Sequence, residues 1–578
     1  MSDQPESTSD ASKASSGGIS DTIQSLIVAF VLAMTARGFV LEGFVIPTGS
    51  MAPTLMGEHV RWKSPQTGWS YAVDAGSYVQ VWTRFAKIMT TAKNQMNGAT
   101  AEQRQRIGIE AARRSMIARW DPMFGLDRPV ERSRPDLNKG VPARAGDRVL
   151  VLKTLYPIFG PDRFDVVVFK NPTDPVGGTQ NFIKRLVGLP EEQLVTVDGD
   201  IFTGALDAAS DQLRIVRKPE SVQRAVWQPV YGSNYEPIDL ENWRKNERVA
   251  WWGAPWAPEA GDDDWTIGTD RAWRSSATGP TSLRFKASKW PITDFNMYNV
   301  YRGGDVTISP LMRRPYAVSD VRITGSIAPD DASNFKSTTL EMESRGVRFE
   351  WTVGVDSVSL LMTDVSDGRE LASASEPFSF PGRTITVDFW QVDQQMWLFV
   401  DGALLLQLPF NDWSPIERFN ASFPGTSVQS YLRDPLLARP EPPALNWRFD
   451  CGPAVLRNVE MARDLYYRPT VLDPINQYRE NGRPITGNGF GTDLLNPGRI
   501  EADQFVMFGD NSAASRDGRI WGRPHPLAAN FAGDDAPFVV PRRLLIGKAF
   551  SVYFPAPLPW IEGGRKIIPD FGRTRFIR

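Results

Sequence analysis

Ser50 stands in a turn shaped by Pro47, Gly49 and Pro53, inside the stretch Phe44-Val-Ile46-Pro-Thr48-Gly-Ser-Met51-Ala-Pro-Thr-Leu55. Such a turn can hold a hydroxyl exposed, and its glycine lets a second backbone approach closely. The serine becomes a nucleophile only with a base within hydrogen-bond reach; otherwise it is an ordinary turn residue. Bases of the usual kind are scarce, because the chain has two histidines, His59 and His525, and one cysteine, Cys451. A single thiol allows no intrachain disulfide, and so few His and Cys cannot build a Cys/His zinc site. Hydrolysis would have to run on a carboxylate pair, a lysine, or one of two isolated histidines. Neither histidine has a context that suggests a triad, and His525 lies between two prolines.

A lysine base must lose its proton, and burial is what depresses a lysine pKa. In Gln180-Asn-Phe182-Ile183-Lys184-Arg185-Leu186-Val187, period two puts Lys184 on the face of Phe182 and Leu186. That predicts a partly desolvated ammonium, with Arg185 pointing the other way into solvent. The plainer alternative is a lysine that snorkels from a half-buried strand. A third group of residues, Met507 to Gly522, sets Asp510, Asn511, Ser512, Ser515, Asp517 and Arg519 between glycines. It reads either as an Asx-rich loop or as a brace, in which Ser515 hydrogen-bonds the neutral Lys184 amine and Asp517 pairs with Arg519.

These three pieces lie far apart in a chain of 578 residues, long enough for roughly three to five domains. Residues 1–22 are polar and read as a flexible tail. Residues 23–46 are apolar enough, and long enough, to predict one transmembrane helix, which takes roughly 20 residues. A cleaved secretory signal would want a positive start, whereas the tail carries Asp10 and Asp21 with only Lys13. Residues 47–57, 144–203 and 464–555 are strand-like and turn-rich, and read as one β-rich unit split by two insertions. The first insertion, 58–143, is partly helical, with a basic helix expected over Thr100–Arg119. That helix could touch anionic lipid or simply present a solvated face. The second insertion, 204–463, holds 13 of the 19 tryptophans. Its period-two runs and the hairpin around Asp401-Gly402 predict a β-sandwich that resembles laminin-G or concanavalin-like lectin domains. Residues 556–578 form a short tail. The fold class is therefore mainly β. Lys plus Arg is 65 against 67 for Asp plus Glu, a net charge of −2, so no global basic field argues for nucleic acid.

Taken together, Ile46–Leu55, Gly146–Lys153, Arg163–Pro172, Ile183–Pro190 and Gly509–Gly522 resemble, in order, the motifs of type I signal peptidases. These are membrane-anchored Ser/Lys proteases that remove signal peptides from exported proteins. The resemblance implies Ser50 as nucleophile and Lys184 as general base. It also implies that the Thr48 hydroxyl joins the Ser50 N–H in an oxyanion hole, that Ser515 orients the lysine, and that Asp517–Arg519 is a supporting pair. Phe44, Ile46, Met51 and Ile183 fall where the family lines shallow apolar pockets for small residues before the cut. Preproteins and membrane lipid are the implied partners, no cofactor or metal is implied, and the catalytic part is expected outside the cytoplasm. This chain departs from the pattern at Gly518, at Glu191 and at 512–514. An alternative function is a membrane-tethered module that binds carbohydrate or protein through the 204–463 sandwich; no partner for either insertion is legible.

Overall fold

The computed structural model describes residues 18–578 apart from 36–37, 39, 115–116, 120, 122, 124–130, 134–142, 237–253, 259–263, 302–314, 411–412, 436–437, 473–478, 481–482, 485–486 and 558–567. Most of the tail expected over 1–22 lies outside the described residues. The mainly β class expected from the sequence is what the fold has.

The sheet that carries Ser50 and Lys184 gathers strands from three distant stretches. They are β1 (Leu41–Val45), β2 (Arg148–Leu152), β3 (Val166–Lys170), β4 (Asn181–Gly188), β5 (Gln504–Phe508), β6 (Val540–Pro541) and β7 (Leu545–Phe554), in spatial order β1-β2-β7-β3-β4-β5-β6, with an eighth short strand, Arg575–Phe576, paired to β7 off this order. All its pairings are antiparallel, and β1 is an edge strand, with Phe44 opposite Val149. β4 lies well inside the sheet. It pairs with β3 from Asn181 to Arg185, while β5 reaches it only from Arg185 to Gly188. A four-stranded sheet, Arg214–Ile215, Asp200–Ala205, Glu192–Val197 and Gly498–Ile500, packs beside it.

The second insertion forms two facing antiparallel sheets of eight and seven strands. Side chains from both inner faces meet between them: Ile323, Phe389, Leu398 and Met461 from one, Leu340, Phe349, Trp351 and Trp447 from the other. The alternation read from sequence holds here, with Phe349, Trp351, Val353, Val358, Leu360 and Met362 all buried. Asp401 and Gly402 both take positive φ, 51° and 82°, as a two-residue turn between twisted strands requires.

The expected transmembrane span over 23–46 needs correction. A helix, α1, covers Gly18–Thr35, but Leu41–Val45 is strand β1, paired along its length with β2. An apolar run does not by itself distinguish helix from strand, and Gly38 and Gly43 each weaken a helix by about 1 kcal/mol relative to alanine. Among the described residues no helix is long and apolar enough to cross a membrane. The basic helix is also shorter than expected: it ends at Arg114, and Ile117–Arg119 is strand.

Candidate active site

A short 3-10 turn over Gly49–Met51 follows β1 and presents Ser50 toward β4. The Lys184 amine lies 2.7 Å from Ser50 Oγ and donates to the Ile183 carbonyl at 2.9 Å. Lys184 is 4% exposed, and its Nζ sits 5.2 Å from the centre of the Phe182 ring. Burial pulls its pKa down to about 8, against the weaker opposing pull of Asp517 and Asp510. A substantial fraction of the amine is therefore neutral in mildly alkaline water, as general-base chemistry needs.

The turn is held from several sides. Asn511 donates its backbone N–H to the Ser50 carbonyl at 3.1 Å and its side-chain amide to the Gly49 carbonyl at 2.8 Å. The Asn296 amide donates to the Ala52 carbonyl at 3.0 Å. Two glycines permit this closeness. A Cβ at Gly509 would lie 2.5 Å from the Ser50 carbonyl oxygen, and one at Gly146 would lie 1.7 Å from that of Ile46.

Asp517 and Arg519 pair through two hydrogen bonds of 2.9 and 2.7 Å, both buried, and Asp517 also accepts from Gly509 N–H at 2.9 Å. This fixes the loop behind Ser50. Thr48 precedes the turn, is exposed, and makes no capping hydrogen bond with its side chain. Ser515 departs from expectation, because its Oγ is buried and makes no hydrogen bond, to Lys184 or to any other described residue. Catalytic hydrogen bonds often tighten only when substrate is bound.

Phe44, Ile46, Met51 and Ile183 do come together, but in one apolar cluster with Leu55, Val149 and Val168. Ile46, Met51 and Ile183 are buried and Phe44 half-buried, so the first three pack the core under the turn rather than lining an open pocket. The reason is that β4 and the turn are covered on both faces, which the strand alternation does not reveal.

Arg185 also corrects the sequence reading: it is fully buried rather than solvated. Its guanidinium meets Asp510 through two bonds of 2.8 and 2.7 Å, and Thr54 Oγ1 donates to the same carboxylate at 2.6 Å. Asp510 and Arg185 were missed as site residues; the signal was their place beside Asn511 and Lys184. The histidines are elsewhere. His59 Nδ1 lies 2.8 Å from the Gly57 carbonyl, and burial pulls its pKa down to about 4. His525 accepts from Leu527 N–H at the start of a short helix.

Four buried carboxylates, Asp200, Asp320, Asp393 and Asp464, bring oxygens within 4.8 Å of one another where the sandwich meets the catalytic unit. The protein's own cations already fill this cluster. Lys218 Nζ lies 2.5 Å from Asp393 and 2.9 Å from Asp464, and Arg418 lies 2.6 Å from Asp200.

Fold and site thus define a β-rich domain in which a serine hydroxyl abuts a sealed lysine. The family model described as signal peptidase, peptidase S26, matches residues 132–242, which supports a signal-peptidase-like domain and, at that level, a peptidase. The matched stretch includes Lys184 but neither Ser50 nor the 509–519 loop. No curated protein matches the chain. Among solved structures, carbohydrate-binding module CBM66 from Bacillus subtilis is similar at 10% identity over 36% of this chain and 96% of that one, with a TM-score of 0.20. Galectin LEC-6 from Caenorhabditis elegans matches at 11% identity over 25% of this chain and 82% of that one, with a TM-score of 0.17. The botulinum neurotoxin serotype D binding domain matches at 10% identity over 36% and 43%, with a TM-score of 0.20. Likenesses this slight decide nothing about function.

Proposed function

We propose that the chain is a serine endopeptidase that removes signal peptides from preproteins, with Ser50 as nucleophile and Lys184 as general base. The observation that carries this reading is the 2.7 Å contact between Lys184 Nζ and Ser50 Oγ, with the lysine sealed from water. In the neutral amine the donor and acceptor exchange roles, and Lys184 takes the hydroxyl proton as Ser50 attacks the scissile carbonyl. The Ser50 N–H and the Thr48 hydroxyl are the proposed donors to the oxyanion. Collapse of the tetrahedral intermediate breaks the C–N bond, and the proton on Lys184 goes to the leaving amine. Lys184 then takes a proton from the water that attacks the acyl-enzyme and returns it to Ser50 Oγ as the ester C–O bond breaks. Ser515 orients the amine once substrate is bound, and Asp517 with Arg519 holds the loop. An extended substrate has edges to pair with at β1 and at residues 181–183 of β4, beyond the reach of β5.

The test is cleavage of a model preprotein by wild type and Ser50→Ala, with the product N-terminus sequenced. Cleavage after a small residue by wild type alone is expected; an undiminished rate in Ser50→Ala would contradict the assignment.

Lipid is the proposed covering of α1, and the extracytoplasmic face of a cell membrane the proposed place of catalysis. Ile23, Leu26, Ile27, Val28, Phe30, Val31, Leu32 and Met34 are all more than half exposed, and they surround the helix rather than forming one stripe. A helix apolar all round is stable when buried in protein or lipid, not in water. The chain should float with phospholipid vesicles on a density gradient, and deletion of residues 1–35 should abolish flotation. Flotation that survives the deletion counts against α1 as the anchor.

Carbohydrate or protein binding by the sandwich is a separate reading with less support. The aromatic rings that could stack on a sugar are largely spent on packing: Trp256, Trp273, Trp290, Trp351, Trp390 and Trp447 are buried.

A further inference from the structure

Among the described residues, the second insertion reaches the catalytic turn through a short segment, residues 294–299. Its sequence, Asp-Phe-Asn-Met-Tyr-Asn, has no counterpart among the motifs read as catalytic. Asn299 and Asn511 form a reciprocal amide pair, with Asn299 Nδ2 donating to Asn511 Oδ1 at 2.6 Å and Asn511 Nδ2 donating to Asn299 Oδ1 at 3.0 Å. Asn511 is the residue that holds the carbonyls of both Gly49 and Ser50. Its side-chain amide is thus oriented by a residue from the insertion.

Two neighbours in the segment act on the same turn. Tyr298 is buried against Gly49 so closely that a Cβ there would lie 2.0 Å from the ring, and its hydroxyl donates to the Glu58 carbonyl at 2.8 Å. Asn296 holds the Ala52 carbonyl, two residues beyond Ser50. The segment is itself anchored. Asp294 forms an ion pair with Arg468, and Arg463 donates to the Asp294 carbonyl at 3.2 Å. Arg468 in turn donates its backbone N–H to Ser512 Oγ at 2.8 Å and accepts from Arg519 at 3.1 Å. The insertion therefore meets both halves of the site: the turn bearing Ser50 directly, and the loop bearing Ser515, Asp517 and Arg519 through Asn299–Asn511 and, by way of Arg468 of the catalytic unit, through Asp294.

We propose that Asn299, through Asn511 and with Tyr298 and Asn296 beside it, is a positioning residue for Ser50, so that the second insertion is part of the scaffold of the reaction centre rather than an appended module. This rests on Ser50 being the nucleophile. The physical requirement is strict: a displacement of about 1 Å at a nucleophile can cost on the order of 100-fold in rate. Asn299 makes its side-chain hydrogen bonds to Asn511 and not to Lys184. Its loss should lower kcat while leaving KM and the lysine pKa in place.

The test uses the full chain in vesicles and compares wild type, Ser50→Ala, Asn299→Leu and Asn299→Gln for kcat, KM, the pH midpoint of kcat/KM, and Tm. Leucine keeps the branching and heavy-atom count of asparagine without the amide, while glutamine keeps the amide at a half-exposed position. Asn299→Leu is expected to lose about tenfold or more in kcat, with KM within about twofold of wild type and the pH midpoint unmoved. Asn299→Gln should recover a large part of the loss. Wild-type kcat in Asn299→Leu would overturn the proposal, as would equal losses in the leucine and glutamine variants, which would mark packing alone. If Ser50→Ala remains active, the proteolytic reading fails. If Ser50→Ala is inactive and Asn299→Leu is not impaired, only the positioning role fails.

Discussion

Lys184→Met should bring preprotein cleavage down to the background of Ser50→Ala and, at the same time, make the protein more stable at neutral pH. The loss follows from removing the one group placed to take the Ser50 proton; general-base catalysis contributes typically about 10²- to 10⁴-fold. The gain follows from the pKa that makes the lysine useful. Held at about 8 in the folded chain against 10.5 when free, the amine binds fewer protons folded than unfolded between those values. Folding therefore bears the full cost of the buried charge below pH 8, and the cost fades as pH rises toward 10.5. The shift corresponds to about 3 kcal/mol, of which the two lost hydrogen bonds of Lys184 offset about 1 kcal/mol each. Thermal melts from pH 6 to 10 should show Lys184→Met above wild type at the acid end and below it at the alkaline end, where the charge cost has faded and the lost hydrogen bonds remain. A variant that keeps its activity, or whose stability gain grows with pH, would contradict this.

Asp510→Ala should be among the most damaging single changes to stability. Arg185 and Asp510 are both fully buried, and removing the carboxylate strips the guanidinium of its bidentate partner, a loss of about 3–5 kcal/mol. The damage should spread to the site, because Asp510 adjoins Asn511 and accepts from Thr54 just beyond the catalytic turn. Replacing both partners, Arg185→Met with Asp510→Leu, should cost less than Asp510→Ala alone, since no unpaired charge remains. Tm measured across the single and double variants checks both statements. A single variant within a degree of wild type would mean the pair contributes little.

The chemistry was more legible than the boundaries. Lys184 could be placed because alternation in β4 sets it beside Phe182 and Leu186, and the structure does bury it with them. The same alternation misplaced Arg185, because period two says which residues share a face but not whether the opposite face meets water. In a strand with neighbours on both sides and cover above and below, both faces are interior. The hairpin at Asp401-Gly402 was readable because its backbone demands positive φ at two successive residues, a local requirement with a local signature. The end of α1 was not, since apolar text runs through the helix and on into β1. Least legible of all was the segment at 294–299, whose Asn and Tyr residues carry no motif. Their importance comes from meeting Ala52 and Asn511 across more than 200 residues of chain.

The pH dependence of kcat/KM for preprotein cleavage by the intact chain in lipid vesicles bears most directly on a lysine base. A neutral Lys184 predicts a rise through a single midpoint near 8 and a plateau above it. A midpoint near ~6.5, the ordinary range of histidine, or a rate indifferent to pH across this interval would contradict Lys184 as the base.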